Sequence, residues 1–76
     1  MSMSEGILSY GSGRYKLVGR AGRQDYYLHN GDRLLVRSGG RWLCVYIFFD
    51  GQRWQFQNEQ GRVIDVDLLG VPARQA

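Results

Sequence analysis

The fold is decided by residues 33–57, which read RLLVRSGGRWLCVYIFFDGQRWQFQ. Three apolar runs in this stretch are separated by Gly39-Gly40 and by Asp50-Gly51. Both pairs are favoured in two-residue hairpin loops, because such loops need residues that tolerate positive φ angles. The stretch therefore predicts three consecutive antiparallel strands, a β-meander.

Each loop also predicts which residues face each other across the strands. A loop at Gly39-Gly40 predicts the pairs Ser38 with Arg41, Val36 with Leu43, and Leu34 with Val45. A loop at Asp50-Gly51 predicts the pairs Phe49 with Gln52, Ile47 with Trp54, and Val45 with Phe56. Both loops direct the same alternate residues to one side of the sheet, whereas a slip of one residue at either loop would reverse every side chain. This agreement supports the meander.

Further elements flank the meander. A three-residue loop at residues 59–61 predicts Phe56 opposite Ile64 and Trp54 opposite Val66. The other predicted elements are strands at residues 7–10 and 14–17. The predicted core comprises Tyr15, Leu17, Leu34, Val36, Leu43, Val45, Ile47, Trp54, Phe56, Ile64, Val66 and Leu68.

Length and composition limit the architecture to one small domain. The chain has 76 residues and 11 glycines, and apolar residues do not recur at helical spacing. We expect a disordered tail at residues 1–5 and a single all-β domain at residues 6–74, an antiparallel barrel of five to six strands. Cys44 is the one cysteine, and neither a signal peptide nor a membrane span is recognised, which indicates a cytoplasmic protein.

The same register leaves an aromatic row on the side away from the core, formed by Trp42, Tyr46 and Phe48 together with Cys44. The predicted cationic neighbours are Arg37 beside Trp42, Arg33 beside Tyr46 and Arg53 beside Phe48. Soluble monomers rarely leave such an apolar patch open, so we expect something to cover it. Three coverings suit these residue types: the N-terminal strands, a protein partner or second copy, and single-stranded nucleic acid.

A basic segment at residues 14–23 is a second candidate, for binding anions. Its basic residues are Arg14, Lys16, Arg20 and Arg23, with no acidic residue before Asp25. Four basic residues fall short of a dense basic tract. A solvated loop is therefore the favoured interpretation, ahead of a phosphate-binding arm.

Catalytic and metal-binding chemistry are not indicated. The aspartates fall mostly at expected turns or on outward faces, where they form no evident catalytic pair. One histidine, His29, and one cysteine, Cys44, provide neither the number nor the spacing of zinc ligands. A chain of this length also has little room for a water-excluding pocket. We expect no enzyme activity, no metal and no cofactor.

The second half of the chain resembles Src-homology-3-like barrels. The matching residues are Leu28-His29-Asn30-Gly31-Asp32, Leu34-Leu35-Val36, Trp42 and Gly70-Val71-Pro72. The resemblance implies a Src-homology-3-like barrel in which residues 67–70 form one 3-10 turn and residues 71–74 form the closing strand. It implies little about activity. The acidic loop and paired aromatic groove of the proline-rich peptide binders are missing, so that activity is not implied.

The chain also resembles an uncharacterised family of short bacterial proteins, a domain of unknown function common in Gram-positive genomes and mobile elements. The matching residues are Gly6-Ile7-Leu8, Arg14-Tyr15, Leu17, Gly31-Asp32, Val36, Gly40, Trp42, Trp54, Leu69-Gly70-Val71 and Arg74. This resemblance spans nearly the whole chain and implies no activity.

We therefore expect a non-catalytic binding module that uses its aromatic and arginine face. The expected partner is another protein or a second copy of the chain, with no membrane and no small-molecule substrate. One alternative is a nucleic-acid-binding β-barrel. Another, which follows from the mobile-element resemblance, is an accessory or counter-defence protein that docks on a host complex.

Overall fold

The computed structural model describes residues 5–19, 25–64 and 68–76. These residues form seven strands in one antiparallel sheet, and none of them is helical. The strands are β1 (Glu5–Gly11), β2 (Arg14–Val18), β3 (Tyr26–Tyr27), β4 (Arg33–Ser38), β5 (Arg41–Phe49), β6 (Trp54–Gln57) and β7 (Pro72–Gln75). Their order across the sheet is β3-β2-β1-β7-β4-β5-β6. The all-β, antiparallel prediction is confirmed, with seven strands in place of five to six.

The β4–β5 hairpin has the predicted register. Its pairs include Ser38 with Arg41, Val36 with Leu43, and Leu34 with Val45. Gly39 and Gly40 have φ angles of 60° and 77°. Positive φ at both central residues is the requirement of a type I′ turn, whose twist matches that of the flanking strands. The turn chemistry of two residues therefore specifies this hairpin.

The β5–β6 hairpin keeps the predicted face but not the predicted register. The observed pairs are Phe49 with Trp54, Phe48 with Gln55, Ile47 with Phe56 and Tyr46 with Gln57. Each partner on β6 is thus two residues further along the chain than expected. Because side chains alternate with a period of two, a shift of two leaves the inward and outward sets unchanged.

The shift has its cause in Asp50. Its Oδ1 accepts hydrogen bonds from the backbone N–H groups of Gln52, at 2.8 Å, and Arg53, at 2.9 Å. The backbone N–H of Asp50 donates to the carbonyl oxygen of Arg53 at 3.1 Å. Aspartate side chains commonly bond to backbone two residues on in this way. The strands are therefore joined by residues 50–53 rather than by Asp50-Gly51 alone.

The third hairpin follows its prediction as far as the structure describes it. The backbone N–H of Ile64 donates to the carbonyl oxygen of Phe56 at 2.7 Å, and Gln57 forms an isolated bridge with Val63. The predicted Trp54–Val66 pair lies outside the described residues. Downstream, the N–H of Val71 donates to the carbonyl of Leu68 at 3.4 Å, which makes a turn, and no 3-10 helix forms within residues 68–71.

The closing strand β7 joins the two halves of the molecule. It pairs with β1 on one side and with β4 on the other. At the opposite end of the chain, Glu5 is the first residue of β1, whereas residues 1–4 of the predicted tail lie outside the described part. Because β7 is central in the sheet, the C-terminal residues are structural rather than peripheral.

The core lies on one side of the sheet and agrees largely with the prediction. Its buried residues are Leu8, Leu17, Leu28, Leu34, Val36, Val45, Ile47, Phe56, Leu68 and Ala73. Tyr15, Trp54 and Ile64 are half-buried against them. Leu43 is a wrong prediction, since it is 39% exposed. The reason is that β6 pairs only with residues 46–49 of β5, so the first half of β5 forms a margin of the sheet.

Aromatic side chains draw the two ends of the curled sheet together. The ring of Tyr15 on β2 lies 5.0 Å from that of Phe56 and 6.5 Å from that of Trp54, both on β6. The Trp54 Nε1–H also donates to the carbonyl oxygen of Gly13 at 2.9 Å. No backbone ladder joins β3 or β2 to β6 in the described residues, so the predicted closed barrel is not found. The contacts between β2 and β6 are instead made by side chains.

Candidate functional site

The aromatic row lies on the outer surface, which is the side of the sheet opposite the core. Along β5, the inward residues Val45 and Ile47 are 1% and 0% exposed, whereas Trp42 and Phe48 are 39% and 36% exposed. Tyr46 shares the outward direction by alternation and is half-buried. The structure therefore places Trp42, Tyr46 and Phe48 on the predicted face.

Two of the three predicted arginines flank this row. Arg37 is directly opposite Trp42, and its guanidinium carbon lies 5.9 Å from the centre of the indole ring. Arg33 is opposite Tyr46, donates from Nε to the Cys44 Sγ at 3.0 Å and has an ion pair of 3.7 Å with Glu59. Arg33 is thus engaged locally, while Arg37 is held by the indole.

The predicted place of Arg53 beside Phe48 is wrong. Because Asp50 moves the β5–β6 register by two residues, Gln55 is the residue opposite Phe48. Arg53 lies in the connection between the strands, where its backbone N–H bonds to Asp50. Arg53 does not belong to the aromatic row.

Arg74 also belongs to this surface, although the sequence does not predict its place there. Its guanidinium carbon lies 4.5 Å from the centre of the Trp42 ring, closer than that of Arg37. Arg74 reaches the indole from β7, across the intervening strand β4. No turn or motif near Arg74 in the sequence predicts this contact, because the contact depends on β7 lying beside β4 in the sheet.

An open groove of about 470 Å³ runs along the outer surface beside Trp42, and we call it the Trp42 groove. Its lining residues are Glu5, Gly6, Ile7, Val18, Gly19, Arg37, Trp42, Pro72 and Ala73. In the order of the strands, Trp42 and Arg37 form one side, Ile7 and Val18 form the other, and Pro72 lies between. Ile7 is 43% exposed. The groove thus joins exposed apolar side chains to charged groups.

The sheet order tests whether the N-terminal strands cover the aromatic face, which was one of the three predicted coverings. The N-terminal strands lie in the same sheet, β1 beside β7 and β2 beside β1, and they contribute the far side of the groove. Covering of the aromatic face by these strands is therefore wrong. No described segment is layered over Trp42.

The predicted anion-binding arm is only partly described. Arg14 and Lys16 lie on β2 rather than in a loop, while Arg20 and Arg23 lie outside the described residues. Arg14 donates to the carbonyl oxygen of Leu28 at 2.9 Å, and Lys16 forms an ion pair of 3.3 Å with Asp25. Neither residue lines the Trp42 groove.

A polar cluster around Asp32 stabilises the turn before β4. The Oδ2 of Asp32 accepts hydrogen bonds from the backbone N–H of His29, at 2.8 Å, and from the Tyr26 hydroxyl, at 3.2 Å. Burial, followed by the nearby Asp32 carboxylate, raises the pKa of Tyr26 above 10.0. Gln75 donates to the same hydroxyl at 3.0 Å. The cluster ties β3 to the turn and to β7.

Within the described ranges, no set of three histidine, cysteine, aspartate or glutamate side chains converges as metal ligands would. Those ranges also contain no helix that could cross a bilayer. The chemistry that the groove does provide is apolar contact from Trp42, Ile7 and Pro72 beside guanidinium groups. Such a surface is suited to binding.

Comparison with known families gives a match over most of the chain. The family described as a domain of unknown function, DUF5348, matches residues 6–74. Searches of curated proteins and of solved structures give no match. The matched range contains the whole of the Trp42 groove apart from Glu5. The chain belongs to the DUF5348 family of domains of unknown function.

Proposed function

We propose that this protein is a non-catalytic binding module that recognises a protein partner through the Trp42 groove. The observation that carries the proposal is the pair of exposed side chains, Trp42 and Ile7, on opposite sides of an open groove. Its volume of about 470 Å³ lies within the range of ligand sites. A partner would insert an apolar side chain between these two residues.

The residue types favour a protein partner. Tryptophan and arginine are enriched among the residues that dominate binding at protein interfaces. Fully burying one large apolar side chain contributes about 1.5–3 kcal/mol, and the exposed parts of Trp42 (39%) and Ile7 (43%) would each contribute about 1 kcal/mol when a partner covers them. The guanidinium groups of Arg37 and Arg74 both lie against the indole. A side chain that is already held loses less freedom on binding.

Single-stranded nucleic acid is the second candidate, and the contacts of Arg37 and Arg74 with Trp42 favour it. Bases stack on aromatic rings and phosphates bind arginine. However, Ile7, Val18 and Pro72 give the groove apolar side chains, and Glu5 adds a carboxylate that would repel a phosphate. This lining suits a peptide side chain better than a nucleic-acid backbone. We therefore place the protein partner first.

Finer expectations accompany the proposal without supporting it. They are a Src-homology-3-like layout, a bacterial source, a cytoplasmic location and an accessory role on mobile elements. The β4–β5–β6 meander and the contacts of Tyr15 with β6 are consistent with a barrel-like layout. Binding at the Trp42 groove requires none of these expectations.

Selection of peptides from a random phage-displayed library against the immobilised protein tests the proposal. We expect enriched peptides whose binding weakens by about tenfold or more, 1.4 kcal/mol, in Trp42→Ala. Phe48→Ala is the matched control, because Phe48 is similarly exposed on the same strand and lies outside the groove. Circular dichroism confirms that both variants fold.

Two outcomes would contradict the proposal. One is a library from which nothing is enriched above background. The other is a set of peptides that bind Trp42→Ala as tightly as they bind the unchanged protein. Binding of a short single-stranded DNA at about 50 mM salt that weakens steeply as salt rises would support the nucleic-acid candidate instead.

A further inference from the structure

The charged groups at the Trp42 groove indicate the chemistry of its occupant, a step that rests on the proposed function. We propose that the groove binds an extended peptide segment in which an apolar side chain is flanked by acidic residues. The apolar side chain lies between Trp42 and Ile7. The carboxylates bind Arg37 and Arg74.

The first support is that these two arginines keep their charges available. Both guanidinium groups lie against the indole ring of Trp42, at 5.9 Å and 4.5 Å. Among the described residues, neither arginine has an ion pair. Arg33, on the same surface, is already paired with Glu59. A ligand carboxylate would therefore find its cationic partners at the Trp42 side of the groove.

The second support is the balance of charge. Glu5 is the one carboxylate among the residues that line the groove. It lies directly opposite Arg74 across β1 and β7, yet Arg74 extends toward Trp42. Arg37 is the one arginine in that lining and balances Glu5. Arg74 borders the groove against Trp42 and adds a second guanidinium group, so the groove and its border together are net positive. The chain as a whole has a formal charge of +3. A segment of opposite charge is complementary to such a site.

The same balance disfavours a second copy as the occupant. Another copy would bring a further +3 of formal charge to a surface that is itself positive. An acidic segment instead supplies carboxylates, whose geometry matches the paired N–H donors of a guanidinium group. The apolar lining from Ile7 and Pro72 then receives the side chain between the acids.

Three blocked and fluorescently labelled hexapeptides test this inference with the full chain. Each has two central leucines, flanked on both sides by glutamates in the first, glutamines in the second and lysines in the third. Fluorescence anisotropy measures their dissociation constants at about 50 mM and about 150 mM salt, where screening differs. We expect the glutamate peptide to bind at least about tenfold more tightly than the glutamine peptide, and the lysine peptide to bind most weakly.

A charge reversal then locates the contact. Arg37→Glu is expected to weaken binding of the glutamate peptide by about tenfold or more. Arg33→Glu is the matched control, because it reverses a charge on the same strand outside the groove. We expect it to change the dissociation constant by less than about twofold.

The outcomes separate this inference from the proposed function. Equal binding of the glutamate and glutamine peptides, with dependence on Trp42 retained, overturns the acidic partner and leaves the binding module intact. Failure of all three peptides overturns the acidic partner, and only failure of the phage selection as well removes the module. A rise in mass with concentration in light scattering, abolished by Trp42→Ala, would identify a second copy as the occupant. Competition by single-stranded DNA with a steep salt dependence would also overturn the inference.

Discussion

The guanidinium carbon of Arg74 lies 4.5 Å from the centre of the Trp42 ring, although β4 separates the strands of the two residues. The Nε of Arg74 is buried and has no hydrogen-bond partner among the described residues. Its directly opposite neighbour, Glu5, is not the group it contacts. Contact with the indole therefore accounts for the direction in which this side chain extends, and the side chain covers one part of Trp42 beside the groove.

Arg74→Ala is expected to expose the Trp42 ring and to lower the free energy of unfolding by about 1 kcal/mol. The change removes both the cation–π contact and the packing of the aliphatic stem. Quenching of tryptophan fluorescence by acrylamide measures the exposure, in a Trp54→Phe background so that Trp42 is the one emitter. Urea unfolding measures the stability.

Arg41→Ala is the control for that experiment. Arg41 is exposed at the hairpin end of β5, opposite Ser38, and lacks a cation–π contact with Trp42. Its removal is expected to leave the quenching constant unchanged. Equal quenching in the Arg74 and Arg41 variants would show that Arg74 does not cover the indole.

Asp50 makes the stability of the β5–β6 hairpin depend on pH. The hydrogen bonds from the backbone of Arg53 and Gln52 lower the pKa of Asp50 below its ordinary value of 3.8. A group with a lowered pKa contributes stability above its unfolded-state value, and this contribution is lost as pH falls through the folded-state value. Asp50→Asn is therefore expected to be less stable than the unchanged protein at pH 7, with the difference vanishing in acid.

Urea unfolding of both proteins at pH 7 and at about pH 2 measures this difference. Glu59→Gln is a suitable control, because Glu59 is an exposed acid in the next loop. Its ion pair with Arg33 is between exposed side chains, which contributes little to stability. A difference between Asp50→Asn and the unchanged protein that is constant across pH would contradict the assignment.

Local turn chemistry explains what could be predicted from the sequence. The glycines at positions 39 and 40 specify the β4–β5 register, and through it the outward direction of Trp42 and its neighbour Arg37. The error at Arg53 also has a local origin. A side-chain carboxylate, that of Asp50, closes a longer connection than the Asp-Gly pair alone indicates.

Other residues at the groove could not be predicted from the sequence, for a different reason. Ile7, Pro72 and Arg74 reach the site because β7 lies between β1 and β4. No short turn specifies that placement, since the paired strands are distant in sequence. Ala73 was likewise missed in the core, where it is 2% exposed. Pairing between distant segments thus completes a site of which the sequence reveals only the local half.

The turn between β1 and β2 offers a route to greater stability. Ser12 and Gly13 have φ angles of 56° and 76°, the positive values that a type I′ turn requires at both positions. A positive φ angle costs serine more conformational free energy than it costs asparagine. Ser12→Asn is therefore expected to raise the free energy of unfolding by about 0.5 kcal/mol, and Ser12→Val to lower it by about 1 kcal/mol. Thermal unfolding in which both variants match the unchanged protein would contradict the turn geometry.

Gly6, which lines the Trp42 groove, has no room for a side chain. A Cβ at this position would overlap the backbone carbonyl group of Val18, whereas a Cβ at Gly11, on the same strand, would meet no atom within 4 Å. Gly6→Ala must therefore separate β1 from the end of β2, and we expect a loss of about 3 kcal/mol in the free energy of unfolding. Gly11→Ala is expected to change it by less than about 1 kcal/mol. Urea unfolding compares the two variants, and equal midpoints would show that β1 and β2 do not approach as closely as this structure has them.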